Sequence, residues 1–241
     1  MGRLLRTVSL CIWVAASVTA ASNSARVDGV EFDFGYLPPN GTAVHRVWIH
    51  PGEQDTLRLV NVKTACGCLT TPWTETQILP GDSLPLLFYW QTRGLTGQRS
   101  VSAYLYLEPG VFPIEIRLLG KVVTPSDTGA SVVCTPSTVM LKENPGQKMN
   151  ATFQLSNRTT EDLAVKLVEN GPDIQITLPA TVSKGKSETG QIGYVGTGQP
   201  GLFESSLTVE LTGNQGAVFR VTIPVVYGNF SFRPVFITRE K

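Results

Sequence analysis

Cys66 and Cys68 flank a single glycine in the stretch KTACGCLTT, Lys63 to Thr71. In an extended strand, residues two positions apart lie on the same face about 6–7 Å apart, which is too far for a disulfide. Gly67 can adopt a positive φ and fold the three residues into a tight turn, in which a disulfide becomes possible. Such a disulfide would be easily reduced, so the spacing is compatible with a redox couple.

The same pair admits other interpretations. The two cysteines can be small apolar residues packed where a strand turns a corner, or half of a metal site, or one of them can pair with Cys134. Redox cysteines are normally placed at a helix N-terminus, which lowers their pKa, and no segment here has the 3.6-residue periodicity of a helix. We therefore expect Cys66 and Cys68 to be mainly structural.

The two histidines of the chain, His45 and His50, do not form an obvious site. Because they are five positions apart, they would face opposite sides of one strand, and we interpret both as surface residues. A Ser-His-Asp triad would need these same histidines, and the sequence has no Gly-x-Ser-x-Gly motif. The sequence thus predicts no catalytic residue, no metal ligand and no cofactor, and we expect a protein that is not an enzyme.

The N-terminus has the pattern of a signal peptide. Arg3 and Arg6 precede an apolar run from Val8 to Val18, and small residues follow this run. The run is shorter than the roughly 20 residues that a transmembrane helix needs. We predict a signal peptide over residues 1–21, export to the periplasm or the cell surface, and no insertion of the mature chain into the membrane.

The cysteine count and the net charge limit which functions are possible. The signal peptide contains Cys11, so Cys66, Cys68 and Cys134 remain in an oxidising compartment and at most one disulfide can form among them. The formal net charge is +1 and basic residues form no run. Nucleic-acid binding depends on a basic surface, so we expect no nucleic-acid partner.

Apolar residues alternate with polar ones along most of the chain. This period of two, interrupted by turn residues such as Pro80-Gly81 and Pro109-Gly110, predicts an all-β protein of antiparallel sandwiches. The more continuous apolar run SLPLLFYWQT is typical of a central strand, and we expect Trp90 in the core. The segments with the clearest alternation are VEFDFGYL, AVHRVWIHP, DTLRLVNVKT, RSVSAYLYLEPG and FPIEIRLLGKVV.

The alternating pattern occurs twice. With an offset of 106, Val47 aligns with Phe153, and Leu57 aligns with Leu163. Two copies of about 100 residues match the size of immunoglobulin-like domains. We predict tandem domains over residues 27–123 and 130–228, and we expect the C-terminal tail, 229–241, to form a late strand or a docked segment. The second copy has no counterpart of Cys66-Gly67-Cys68.

Four motifs of the first copy occur in the order known from one family: FDFGYL, then L-x-L-x-x-V-x-x-A-C-G-C from Leu57 to Cys68, then ILPGDS, then GLTG. Over about residues 30–123 the chain resembles a bacterial secreted domain of unknown function with a Phe-Gly opening and a Cys-Gly-Cys centre. That family is similar to Hydin-type and major-sperm-protein-type immunoglobulin-like domains. The chain departs from it at Pro51-Gly52, where an Asn-x-Gly turn is usual. The resemblance implies an immunoglobulin-like sandwich and an exported bacterial protein, and no established activity.

Three functional hypotheses follow. The first is an exported, non-catalytic structural or interaction module that presents sandwich loops or edge strands to a protein or glycan partner. The second is a periplasmic thiol-redox or metal-handling protein that uses Cys66 and Cys68. The third is a pilus-type periplasmic chaperone, which needs an exposed apolar edge strand and basic residues between its domains; Lys121 could be one of these.

Overall fold

The computed structural model describes residues 25–110, 112–124, 127, 129–142, 149–196 and 202–228. The predicted signal peptide and the C-terminal tail lie outside the described residues. Every regular element in the described part is a β-strand, which confirms the all-β prediction. The strands are β1 Arg26–Asp28, β2 Glu31–Leu37, β3 Thr42–His50, β4 Leu57–Thr64, β5 Leu69–Thr70, β6 Thr76–Ile78, β7 Leu84–Gln91, β8 Gly97–Glu108, β9 Ile114–Val122, β10 Val132–Thr135, β11 Val139–Lys142, β12 Asn150–Asn157, β13 Leu163–Asn170, β14 Ile174–Thr177, β15 Thr181–Val182, β16 Ser187–Tyr194, β17 Leu202–Gly213 and β18 Val218–Gly228.

The first half of the chain forms one sandwich. A four-stranded sheet in the order β1-β3-β7-β5 packs against β2, β9, β8, β4 and β6, which lie side by side in the larger sheet. Alternation explains the packing: along β9, Ile116 and Leu118 are buried while Glu115 and Arg117 are exposed. Trp90 and Phe34 are fully buried at the centre, as expected for the apolar run in β7.

The second half repeats this architecture around a separate core. A four-stranded sheet in the order β10-β12-β16-β14 faces β15, β13, β17 and β18, and β11 pairs with β18. Phe153 and Leu155 of β12 are buried in this second core. Both belong to the alternating segment of the second copy in which Phe153 aligned with Val47 of the first copy. The domain boundaries at 123 and 130 stay a prediction, because part of the linker lies outside the described residues.

The two sandwiches share one sheet. Strand β18 of the second pairs in parallel with β2 of the first at Val221 and Tyr36, so that ten strands form a continuous sheet. Tyr36 also packs against the second core, and the Thr222 hydroxyl donates to the Phe34 carbonyl at 2.7 Å. At Gly35, φ is +66° and a Cβ would lie 2.1 Å from the carbonyl oxygen of Arg220. This close approach of two backbones requires glycine.

Replacing Trp90 by alanine should lower the free energy of unfolding by about 3–5 kcal/mol, because a large buried ring would leave a cavity. Urea denaturation followed by far-UV circular dichroism measures this change. Phe112→Ala is the matched control, since Phe112 is 84% exposed and its truncation should cost little. A loss below about 1 kcal/mol for Trp90→Ala would contradict the assignment of β7 to the centre of the core.

Candidate functional site

The Cys-Gly-Cys segment forms a closed turn between β4 and β5. The sulfurs of Cys66 and Cys68 are bonded at 2.00 Å and their Cα atoms lie 5.2 Å apart. The Gln91 amide donates to the Cys68 carbonyl at 2.8 Å, which ties the turn to β7. Of the alternatives left open by the sequence, the structure has the disulfide within the motif, with neither separate thiols nor a bond to Cys134.

The disulfide turn lies at the surface of the first core. Cys66 and Cys68 are half-buried and pack against this core, so they are less enclosed than apolar core residues would be. Gly67 is exposed, and a Cβ built on it would meet nothing within 4 Å. Its φ lies outside the left-handed range, so the turn forms without the positive φ that a glycine permits. One side of the disulfide loop is therefore open to solvent.

Cys134 is a free thiol in the second core. It lies on β10, is 8% exposed, and its sulfur donates to the Pro136 carbonyl at 3.4 Å. Burial raises the pKa of the Cys134 thiol from 9.0 to about 12, because the thiolate would lose its hydration. A neutral, enclosed thiol is a poor nucleophile, so Cys134 is a packing residue.

The raised pKa of Cys134 predicts that the folded protein loses stability as the pH becomes strongly alkaline. The folded protein holds the thiol proton more tightly than the unfolded chain, so this contribution is fully present below pH 9.0 and is lost as the pH rises towards about 12. Native Cys134 should resist iodoacetamide at pH 8.5 and react once urea unfolds the chain. The Cys134→Ser variant is the control, because any iodoacetamide label that it takes up must lie on other residues. Rapid labelling of the native protein would show that the thiol is accessible.

His45 is buried, and the prediction that it is a surface residue was wrong. It is 4% exposed, its Nδ1 lies 2.7 Å from Oε2 of Glu169, and its Nε2 lies 2.8 Å from the Gly29 carbonyl oxygen. The Phe32 ring stacks on the imidazole with centroids 4.5 Å apart. The sequence of the first copy contains no sign of this burial, because Glu169 comes from β13 of the second sandwich. His50 stays half-exposed, 3.4 Å from Asp28.

Glu169 and Ser206 also complete the hydrogen bonding of β3. Strand β1 covers β3 only from Trp48 to His50, so the backbone of the preceding residues faces the second sandwich. There the Arg46 amide donates to Oε1 of Glu169 at 2.7 Å, and the Val44 amide donates to the Ser206 hydroxyl at 2.8 Å. The second sandwich therefore caps the open part of a first-sandwich sheet edge with side-chain oxygens.

The loss of the Glu169 carboxylate should destabilise this joint. Glu169→Ala leaves the Arg46 amide and the His45 ring without their acceptor, and a broken buried pair of this kind costs about 3 kcal/mol. We expect this decrease in urea denaturation, together with faster hydrogen exchange at the Arg46 amide. Glu188→Ala, at an exposed glutamate of the same sandwich, should leave both unchanged. Equal effects of the two substitutions would contradict the capping role.

A second contact zone between the sandwiches contains two cations. Lys121 lies with its Nζ 5.9 Å from the centroid of Tyr36, and Arg220 lines the same cleft. The Arg220 guanidinium donates to Oε2 of Glu210 at 2.9 Å and to the Asp33 carbonyl at 3.3 Å. Lys121 was identified from the sequence, whereas Arg220 was not, because β18 brings Arg220 to the first sandwich where it pairs with β2.

The described residues contain no group of three or more His, Cys, Asp or Glu side chains that could hold a metal ion. In the same part of the chain, no helix is long and apolar enough to cross a membrane. The acidic and basic side chains that come together there mostly form ion pairs. One example is Arg58, which binds Glu75 and Glu108 on the surface of the first sandwich.

These features define an all-β protein of antiparallel, immunoglobulin-like sandwiches with one surface disulfide. Residues 25–122 match the family described as Protein of unknown function (DUF1573). This match covers the first sandwich, where the four sequence motifs lie; a bacterial source and secretion stay predictions. No curated protein matches the chain.

Solved structures of similar fold span one or both sandwiches. A protein of unknown function from Porphyromonas gingivalis W83 is 10% identical, with 83% of this chain and 98% of that chain covered and a TM-score of 0.34. The Caenorhabditis elegans MSP family member WR4 is 13% identical, with 41% and 99% covered and a TM-score of 0.33. The CupB2 chaperone of Pseudomonas aeruginosa is 8% identical, with 82% and 98% covered and a TM-score of 0.31. Likeness at this level carries no argument about function.

Proposed function

We propose that the protein is an exported, non-catalytic interaction module that presents sandwich loops or edge strands to a protein or glycan partner. The observation that carries this proposal is the joint between the sandwiches. A shared sheet and the capping of β3 by Glu169 and Ser206 hold the two halves in one orientation. Such a joint arranges surfaces from both sandwiches for binding, while it engages His45, the residue best suited to acid–base chemistry, in a structural contact.

One end of β9 offers an edge to a protein partner. Strand β2 pairs with β9 from Arg117 onwards, and no described strand covers Ile114 to Ile116 on that side. The Arg117 amide donates to the Val30 carbonyl and so points to the β2 side of β9. Glu115 is two positions away on the same strand, so the backbone groups of Glu115 point to this side too, where no described strand covers them. Phe112 stands beside the edge with 84% of its surface exposed. A free backbone edge next to an exposed aromatic ring suits the addition of an extended peptide.

Site-specific cross-linking tests the proposal. A photoreactive amino acid at position 112 of the protein in its native host should form a covalent adduct with one protein partner. The adduct should disappear when Glu115→Pro is added, because proline removes the backbone amide that faces the open side of β9. The matched control is the same amino acid at position 195, since Val195 is also exposed, at 57%, on the second sandwich. No adduct at 112, or the same adducts at both positions, would count against a specific partner at this edge.

The disulfide favours thiol-redox activity as a second candidate over metal handling. Cys66 and Cys68 are already bonded to each other, and the open side of their turn gives a reductant access to the loop. The non-catalytic proposal predicts that Cys66→Ser/Cys68→Ser costs about 1–3 kcal/mol of stability and leaves the adduct at position 112 in place. Turnover of the purified mature protein in an insulin-reduction assay, abolished by either substitution, would instead establish the redox function.

The chaperone hypothesis has weaker support. Lys121 does lie in a cleft between the sandwiches, but Arg220 beside it is engaged by Glu210 and the Asp33 carbonyl. Little positive charge is left there to hold a carboxylate. From Arg117 to Val122, β9 is paired on both sides, with β8 and with β2. On β9 the open edge is therefore limited to the first three residues of the strand, which is short for a pilus-type chaperone, so we do not propose this function.

A further inference from the structure

The outer face of the sheet β10-β12-β16-β14 consists almost entirely of uncharged hydrogen-bonding side chains. Burial alternates along these strands, with Phe153 and Ile192 turned into the core, so the intervening residues face outwards. The pairing registers align the outward residues in four rows across the sheet. These rows are Gln175-Gly193-Asn150, Thr177-Gln191-Thr152, Thr189-Gln154-Thr135 and Ser187-Ser156-Val133.

The absence of charge from these twelve positions distinguishes this face from the rest of the chain. Lysine, arginine, aspartate and glutamate make up 16% of the sequence, and a typical protein surface holds about 25–35% of them. Charged side chains do occur among the outward residues of the other sheets. On β9 they include Glu115 and Arg117, and on β3 they include Arg46. The uncharged face is therefore a property of one sheet and does not reflect the composition of the chain.

Most hydrogen-bonding side chains on this face have no hydrogen-bond partner among the described residues. Ser156 and Ser187 bond to each other at 2.7 Å. Among the described residues, the side chains of the remaining members make no hydrogen bond. Each glutamine amide can donate two hydrogen bonds and accept two, and each threonine hydroxyl can donate one and accept two. The face thus presents a regular array of donors and acceptors to the outside.

A shallow recess lies in the first two rows. Gly193 has no side chain at a position where a Cβ would meet Oδ1 of Asn150 at 2.7 Å. Asn150, Gln175 and Gln191 surround this position, together with Thr152 and Thr177. The Asn150 side chain lies over Gly193, so three amides and two hydroxyls stand together around one point of the sheet surface.

We propose that this face binds a neutral polysaccharide. An ionic ligand would be desolvated there without an opposite charge to compensate it, whereas the hydroxyl groups of a sugar match amides and hydroxyls in both donors and acceptors. Neighbouring strands are about 4.8 Å apart, close to the length of one sugar unit in an extended chain, so a chain that lies along one row can place successive units on successive strands. This inference rests on the proposed interaction function and assigns it a glycan site distinct from the β9 edge.

Titration of the mature protein with neutral polysaccharides tests the site. The probes are laminarin, hydroxyethylcellulose and galactomannan, with polygalacturonate as the charged counterpart. In ¹H–¹⁵N spectra, at least one neutral probe should shift the side-chain amide signals of Gln154, Gln175 and Gln191, and polygalacturonate should not. If none of the three neutral probes shifts these signals, or if polygalacturonate shifts them more strongly, the assignment is overturned.

Substitutions of glutamine by glutamate, which has the same shape, test whether the polysaccharide binds at this face. Gln191→Glu keeps the shape of the side chain and places a negative charge beside the recess, so the affinity for the active probe should fall at least tenfold by calorimetry. Gln77→Glu is the matched control, because Gln77 is an exposed glutamine on β6 of the first sandwich; it should bind like the unchanged protein. Equal affinity of the two variants overturns the site. A persistent adduct at position 112 in that case would show that the proposed interaction function stands without the glycan face.

Discussion

The arrangement of the two sandwiches depends on which groups accept the hydrogen bonds of the backbone amides that β1 leaves uncovered on β3. A backbone amide that is buried without an acceptor is costly, and β1 is too short to cover the amides of Val44 and Arg46. Ser206 and Glu169 of the second sandwich accept these two hydrogen bonds. Once they do, the orientation of the two sandwiches is set, and β18 can extend the first-sandwich sheet through β2. An unprotected sheet edge, which would otherwise favour aggregation, becomes the joint between two halves of the chain.

This joint also places His45 in a structural contact. His45 is held between two acceptors, the Glu169 carboxylate and the Gly29 carbonyl, and is shielded by Phe32. It is therefore a structural residue, although its residue type would suit catalysis. Cys134 is similarly enclosed. The remaining reactive feature is the disulfide turn, which is fixed to β7 through the Gln91 amide and stays accessible on its outer side. Chemistry at that turn would have to take place on the surface of the first sandwich, without help from the buried pair of His45 and Glu169.

The surfaces left free by the joint differ in character. The outer residues of β9 include Glu115, Arg117 and Lys121, and the first three residues of the strand leave a short backbone edge next to Phe112. The outer face of β10-β12-β16-β14 is uncharged and rich in amides and hydroxyls. These differences suit different ligands, because backbone edges recognise extended peptides and arrays of amides and hydroxyls match hydroxyl-rich, neutral molecules. A rigid frame can hold both at a constant distance from each other.

Local pattern was sufficient to predict the strands and the burial of Trp90, because alternation and turn residues act over a few positions. The same local information left the pairing of Cys66 open, since a separation of two residues permits a bond without requiring one. The sequence by itself therefore determined an all-β chain with two similar halves and a possible disulfide turn. Only the tertiary structure decided that His45 is buried, that Gly35 touches Arg220, and that twelve outward positions form one uncharged face. These facts depend on contacts between residues more than a hundred positions apart, or on the register between strands, and no short-range periodicity encodes either.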